Sequence, residues 1–340
     1  MLTRCDHVRQ RLSGALALVL ALLLVELRTA PAIAADLIAF KVGISDRVNT
    51  VLPLWMAEAG GFYAAQGLNV EIVAMGGGSQ GARELQAGRI DVMRVGLSSV
   101  VQTNRAGGDL RAIASMSNVI RFTFFSAPGI RTAADLKGGV IGVSTFGSES
   151  DSTVTLALRR LGMTRNDVML KEYGGATRRL AALKSGEIKA SAINEPVASQ
   201  ARDQGVHVMV DLVAEQIPWL FSSIVVRRSD LTNRRDLIAR FLKATIEGNY
   251  LAFANEKLAK EVLARELKLT DRNTIEISYD DFRKQSPLDM EPSRPGAESV
   301  IAELPAGVST RLEDHLDTGI LDDLKQQDFF IMLRRKYAIK

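Results

Sequence analysis

The sequence predicts an α/β protein of two similar lobes, each a β-sheet flanked by helices, followed by a helical C-terminal region. Three observations predict it. Residues 76–92 and 174–190 follow one pattern 98 positions apart. Gly76-Gly77 falls on Gly174-Gly175, Ser79 on Thr177, Leu85 on Leu183, Gly88 on Gly186 and Ile90 on Ile188. The same offset carries strand-like Lys41–Ile44 onto Gly139–Gly142, and the run after Pro53 onto Ser152–Leu161. Beyond Ser229 the pattern changes to apolar residues at helical spacing, as at Leu237, Phe241, Leu242 and Thr245. A chain that builds one β-α-β-α-β plan twice builds two lobes, and the groove between them is the natural place for a ligand.

The elements follow in order. Leu37–Ile44 reads as a strand, Ser45–Thr50 as a loop, and the run from Pro53 through Ala65 as a helix stopped at Gly67. Val70–Ala74 is the next strand. Gly76-Gly77-Gly78 turns the chain, and Ser79 is placed to cap a helix over Gln80–Ala87, with Gly88 at its end. Ile90–Val95, Leu110–Ser115 and Arg121–Phe125 read as strands, and a helix runs from Gly96-Leu97-Ser98-Ser99 to Gly107-Gly108. In the second half, strands are expected at Val140–Val143, Val168–Tyr173, Ile188–Ile193, Val206–Val210 and Phe221–Val226. A short loop-helix spans Pro128–Lys137, and a long helix leads from Thr145-Phe146-Gly147-Ser148 to Gly162. Asn194-Glu195-Pro196 starts another, with Pro in the first turn where its missing N–H costs nothing. The tail reads as helices over Asn233–Ala254, Glu256–Leu267, Arg272–Asp281, Ala297–Leu304, Thr310–Leu316 and Leu321–Tyr337, packed across the first lobe. The expected organisation is an export segment at 1–35, a first lobe of 36–124 plus 224–340, and a second of 125–223. The chain then crosses between lobes near Phe125–Ala127 and Phe221–Ser223.

Composition narrows the function. The chain has 340 residues, 46% hydrophobic and 24% charged, with net charge +4. Taking the four basic and two acidic residues of positions 1–34 from the totals of 43 and 39 leaves 39 basic against 37 acidic. That is no footprint for nucleic acid. The scattered pairs, such as Arg159-Arg160 and Arg178-Arg179, read as solvated faces. Arg4, Arg9 and Arg11 precede the apolar run Leu12–Val25, and Ala32-Ile33-Ala34 is a small-x-small site. This is the pattern of a secretory signal cleaved near 34–36, and it predicts a soluble periplasmic monomer. Cys5 lies upstream of the apolar run, so the expected mature chain has no cysteine and only His207 and His315. No metal site, cofactor or catalytic constellation is expected from so sparse a set, and both histidines read as structural surface residues.

A longer series of residues resembles a known family. Pro53-Leu54-Trp55-Met56-Ala57-Glu58-Ala59-Gly60-Gly61-Phe62-Tyr63, Gly67-Leu68-Asn69-Val70-Glu71, Gly76-Gly77-Gly78-Ser79 and Gly88-Arg89-Ile90-Asp91-Val92 occur in that order. With Asp135-Leu136-Lys137-Gly138, Gly142-Val143 and Asn194-Glu195-Pro196, they resemble the nitrate/sulfonate/taurine type of ABC-transporter substrate-binding protein. The likeness covers residues 37–340. It implies the type II periplasmic-binding-protein fold, two hinge strands, and delivery of a ligand to a permease in the inner membrane. Two departures stand out. Arg94 replaces a small or apolar residue, and Glu149 and Asp151 lie in the first turn of a helix that would face the ligand.

The ligand is expected beyond the carboxyl ends of the strands. The candidate residues there are Asn49, Gly77, Ser79, Ser98, Ser99, Thr145, Phe146, Ser148, Tyr173, Asn194, Glu195 and Trp219. Glycines allow close backbone approach, and hydroxyls with helix N–H groups suit a small polar ligand. Each hydroxyl is also a plain helix cap in the blander reading, and Trp55 reads as core. Unpaired N–H groups expected at Ser79, Ser99, Ser148 and Thr177 favour a small organic anion such as a sulfonate or carboxylate. Glu149 and Asp151 pull the other way and leave a zwitterion or neutral heterocycle open. A secreted enzyme using the same cleft and a ligand-binding sensor module are the alternatives.

Overall fold

Among the described residues, ten strands pair into two five-stranded sheets. The computed structural model describes residues 37–304 and 310–339; the expected export segment with Cys5 lies outside the described residues. The strands are β1 (Ile38–Ile44), β2 (Leu68–Ala74), β3 (Val92–Val95), β4 (Leu110–Val119), β5 (Thr123–Ser126), β6 (Val140–Val143), β7 (Met169–Glu172), β8 (Ala190–Ile193), β9 (His207–Asp211) and β10 (Pro218–Arg227). The first sheet runs β2-β1-β3-β10-β4 and the second β7-β6-β8-β5-β9. β1 lies parallel to β2 and β3, and β6 parallel to β7 and β8, as helical crossovers require. The fourth position of each sheet is antiparallel to both neighbours, β10 in one and β5 in the other. The internal repeat is physical: β3 and β8 occupy corresponding places, 98 positions apart, in two sheets of one design.

The helices in chain order are α1 (Leu52–Ala59), α2 (Phe62–Ala65), α3 (Gly78–Gln86), α4 (Leu97–Arg105), α5 (Ala133–Leu136), α6 (Glu149–Arg160), α7 (Ala176–Ser185) and α8 (Val197–Asp203). The tail adds α9 (Arg228–Asn233), α10 (Arg235–Ala254), α11 (Glu256–Leu267), α12 (Arg272–Gln285), α13 (Arg294–Ala302), α14 (Gly319–Gln326) and α15 (Phe329–Tyr337). None of the described helices is long and apolar enough to cross a membrane.

Several local expectations are corrected. Ser79 does not cap its helix. α3 starts at Gly78 with Gly77 before it, so Ser79 sits inside the first turn. The expected helix from Pro53 to Ala65 breaks at Gly60-Gly61, where Gly61 takes φ 69°, a backbone form that glycine adopts without strain. Pro196 stands just before α8 rather than in its first turn. The stretch expected as a helix over Thr310–Leu316 is a single tight turn, Leu312–Asp314. Strand pairing puts the passages between the sheets after Val119 and after Asp211, not at 125–127 and 221–223. β5 already pairs with β8 and β9, and Pro218–Ser223 already pairs with β4. No glycine or proline marks the first passage, Ile120–Phe122, so nothing local announces it.

Three cores hold these layers. The largest packs α1, α10, α11 and α12 on the first sheet through Phe40, Trp55, Phe241, Tyr250 and Phe282. Phe40 and Tyr63 both stack on Phe241, with ring centroids 5.0 and 5.5 Å away. Each fully buried aromatic of this kind contributes about 2–3 kcal/mol of burial free energy. A second core runs between the sheets, from Val95, Leu97 and Val100 to Phe124, Val143, Leu156, Trp219 and Phe221. The third, with Phe125, Leu180, Leu183 and Ile193, belongs to the second sheet.

Candidate ligand cleft

The carboxyl ends of β1, β3, β6 and β8 converge on one pocket. Parallel strands place the loops that follow them on one edge, which is why residues far apart in sequence meet there. The loop after β1 supplies Ser45, Asp46 and Val48, and the turn before α3 supplies Gly77 and Gly78. β3 supplies Arg94 and Val95. From the second half come Ser144, Ser148, Glu149 and Ser150, then Gly175, Arg179 and Asn194. Phe122, from the passage after β4, and Phe221, on β10, line the pocket as an edge-to-face pair 5.1 Å apart.

Two arginines dominate the chemistry. Arg94 is 4% and Arg179 2% exposed, and burial pushes each guanidinium down to about 10. Both remain charged at neutral pH. Nη1 of Arg94 donates to Ser45 Oγ at 3.3 Å, and its Nη2 pairs with the Thr50 hydroxyl. Nη1 of Arg179 donates to the Ala192 carbonyl at 2.9 Å, and the guanidinium stands over the Phe122 ring at 5.9 Å. The Nε of each has no hydrogen-bond partner among the described residues. The negative charge of Asp46, near both, favours the charged form of each arginine. Glu149 lies buried beside them, and burial pushes its carboxyl up to about 7 against the N–H groups of Trp219 and Ser98 and the charge of Arg94.

The expected site residues divide. Gly77, Ser148 and Asn194 line the pocket. Thr145 stands behind Gly77, where a Cβ would come within 2.6 Å of it. Ser99 stands behind Gly78 in the same way, at 2.7 Å. The hydroxyls of Ser79, Ser99 and Thr145 are buried without partners among the described residues. Ser98 and Trp219 bind Glu149 rather than the pocket, at 2.8 and 2.6 Å. Asn49 is turned toward α12, donating to the Ser278 carbonyl at 2.9 Å and to Asp281 at 2.6 Å. Tyr173 bonds Glu187 at 3.0 Å, Glu195 pairs with Arg202 at 2.8 Å, and Phe146 is exposed. The N–H of Ser148, expected free, donates to the Thr145 carbonyl at 3.2 Å. Arg179, read from its dipeptide as part of a solvated face, is one of the most buried charges in the chain. His315 is likewise buried, 2.9 Å from Asn104 Nδ2.

The family profile described as NMT1/THI5 like matches residues 49–259. The chain belongs to the NMT1/THI5-like family. The riboflavin-binding protein RibY of Chloroflexus aurantiacus is 27% identical over 210 residues, 60% of this chain and 59% of that one. A putative ABC transporter periplasmic binding protein of Brachyspira hyodysenteriae is 32% identical over 133 residues, 38% of this chain and 37% of its own. The matches thus span well under two thirds of either curated relative. Among solved structures, the periplasmic aliphatic sulphonate-binding protein SsuA of Escherichia coli superposes with a TM-score of 0.60 at 22% identity, over 86% of this chain and 93% of that one. The NMT1/THI5-like chain therefore has the type II periplasmic-binding-protein fold, as its paired sheets and their order already indicated.

Proposed function

We propose that this protein is the periplasmic solute-binding component of an ABC importer. In this reading its export segment is cleaved, its two lobes close on a small organic anion, and it hands that anion as a monomer to a permease. One lobe comprises the first sheet with the helical tail, and the other comprises residues 123–211. The observation that carries the reading is the pair Arg94 and Arg179, buried in one cleft between the sheets with the Asp46 carboxylate near both. An uncompensated buried guanidinium costs several kcal/mol, so an anion placed between the two recovers what desolvation costs. Glu149, with its acidity weakened to about 7, offsets less than one full charge, so the lining is on balance positive at neutral pH.

The test is a thermal-shift screen across sulfonates, carboxylates, nitrate, amino acids and pyrimidines. An anion at 100 times its Kd adds about 2.7 kcal/mol of stability, and the expected result is a raised melting temperature for anions alone. Stabilisation by cations or neutral sugars only would overturn the anion reading. Turnover of a bound compound would overturn the transport reading in favour of an enzyme.

A further inference from the structure

Two carboxylates cross the cleft in opposite directions. Asp46 follows β1 of the first sheet, and its Oδ2 accepts the N–H of Ala176, the first residue of α7 in the second half, at 2.7 Å. Glu149 opens α6 in the second half and reaches back. Its Oε1 accepts the N–H of Ser98, in the first turn of α4, at 2.8 Å, and its Oε2 accepts Trp219 Nε1–H of β10 at 2.6 Å. Glycines receive both groups. A Cβ on Gly175 would lie 2.9 Å from Asp46 Oδ2, and one on Gly96 2.2 Å from Glu149 Oε1. Each contact joins groups from the two sheets across the cleft. For Asp46 on the N-terminus of α7 the hydrogen bond is charge-assisted and favoured by the helix dipole, whereas Glu149 makes its two hydrogen bonds in a place where burial disfavours its ionised form.

We propose that Asp46 and Glu149 are reciprocal latches of the closed cleft, each a carboxylate of one lobe capping a helix of the other, and that together they set the energy of closure. This rests on the reading of the cleft as a site between two closing lobes. The pocket residues then have separate roles. Arg94 and Arg179 attract the ligand, and the two acids hold the door.

Glu149 also couples the latch to protons. The charged groups around its pocket are Arg94 on β3, with Arg121 near it, Asp46 on the β1 loop, and Arg179 on α7. On its own helix, Asp151 is paired with Arg165 at 2.6 Å. In an open cleft the Glu149 carboxyl meets water and returns toward its ordinary 4.5, whereas closure holds it up at about 7. The closed form therefore binds the proton more readily. Closure is favoured at the acid end, and that contribution is lost as pH rises from about 4.5 through about 7. Across the whole window the closed-to-open ratio falls about 300-fold.

The chain has two tryptophans, so Trp55→Phe leaves Trp219, the Glu149 partner, as the sole reporter. Without added solute, its emission is expected to shift to the red between pH 5 and pH 8. Glu149→Ala is expected to be red-shifted at both, and Glu149→Gln to remove the pH dependence. Because Trp55 is a core residue, small-angle scattering on the tryptophan-intact protein supplies a second readout. Glu149→Ala and Asp46→Ala should each enlarge the radius of gyration. Identical emission and identical scattering in all variants at all pH values would overturn the latch. A protein that shows this response yet binds none of the screened anions keeps the latch and loses the anion reading. One that binds an anion with no response does the reverse.

Discussion

Gly248→Leu is expected to leave the protein largely unfolded, and Gly248→Ala to lower its melting temperature by about 3–5 °C, a loss on the order of 2–3 kcal/mol. Gly248 lies in the middle of α10, where glycine alone would weaken a helix by about 1 kcal/mol relative to alanine. Packing wins over propensity here. A Cβ at this position would lie 2.4 Å from the Pro53 carbonyl oxygen and 2.5 Å from the Ala57 nitrogen, both backbone atoms of α1. Backbone in a packed helix cannot turn aside as a side chain can. The two helices must part, and with them the contacts of Trp55, Phe241 and Tyr250 in the largest core. Thermal melts of the two variants check this; a melting temperature at or above that of the parent would show that α1 and α10 have room between them.

Arg179→Met is expected to weaken anion binding about 100-fold or more while leaving the melting temperature of the unliganded protein unchanged or raised. The two effects separate because they have different physical origins. Removing one charge of a buried, hydrogen-bonded pair in a binding site costs about 2–5 kcal/mol of affinity. Arg94 stays behind to balance Asp46, so removing Arg179 strands no carboxylate and relieves the desolvation cost of one buried guanidinium. Arg179 makes one hydrogen bond of its own, to the Ala192 carbonyl, so little structure is lost with it. Calorimetric titration with the anion that gives the largest thermal shift is the measurement. An unchanged Kd would move the anion away from this guanidinium, and a large drop in melting temperature would make Arg179 a structural residue.

The fold was legible because its signals are local and repeated. Glycine turns, apolar strands and amphipathic helices recur at a fixed offset, and β6 occupies the expected Val140–Val143. What stayed hidden depends on contacts between distant residues. Arg178-Arg179 looks like any solvated pair, and nothing nearby says that Arg179 alone turns into the cleft. Asp46 and Ala176 are 130 positions apart, and no sequence spacing predicts that one will cap the other. Asn49 reads as a ligand contact from its place after the first strand, whereas its partners, Ser278 and Asp281, come from a helix of the tail. Arg94 and Glu149 were conspicuous for the opposite reason: against the family that the chain resembles, a charge in a strand where a small or apolar residue is common, and an acid in the first turn of a helix facing the ligand, are visible without any knowledge of their partners.

The late return of β10 to the first sheet has a consequence for the order in which the molecule can assemble. All five strands of the second sheet lie within residues 123–211, so that sheet is an uninterrupted insert. The first sheet is split: β3 and β4 do not pair with each other, and β10 must enter between them. A chain arriving from its N-terminus therefore has everything it needs to finish the second sheet once Asp211 is present. The first sheet, though begun earlier, waits with open edges on β3 and β4 until Arg227 arrives. A fragment ending before β10 would keep those edges exposed and be prone to pair with other chains, whereas residues 123–211 form the one contiguous stretch that can close its own sheet.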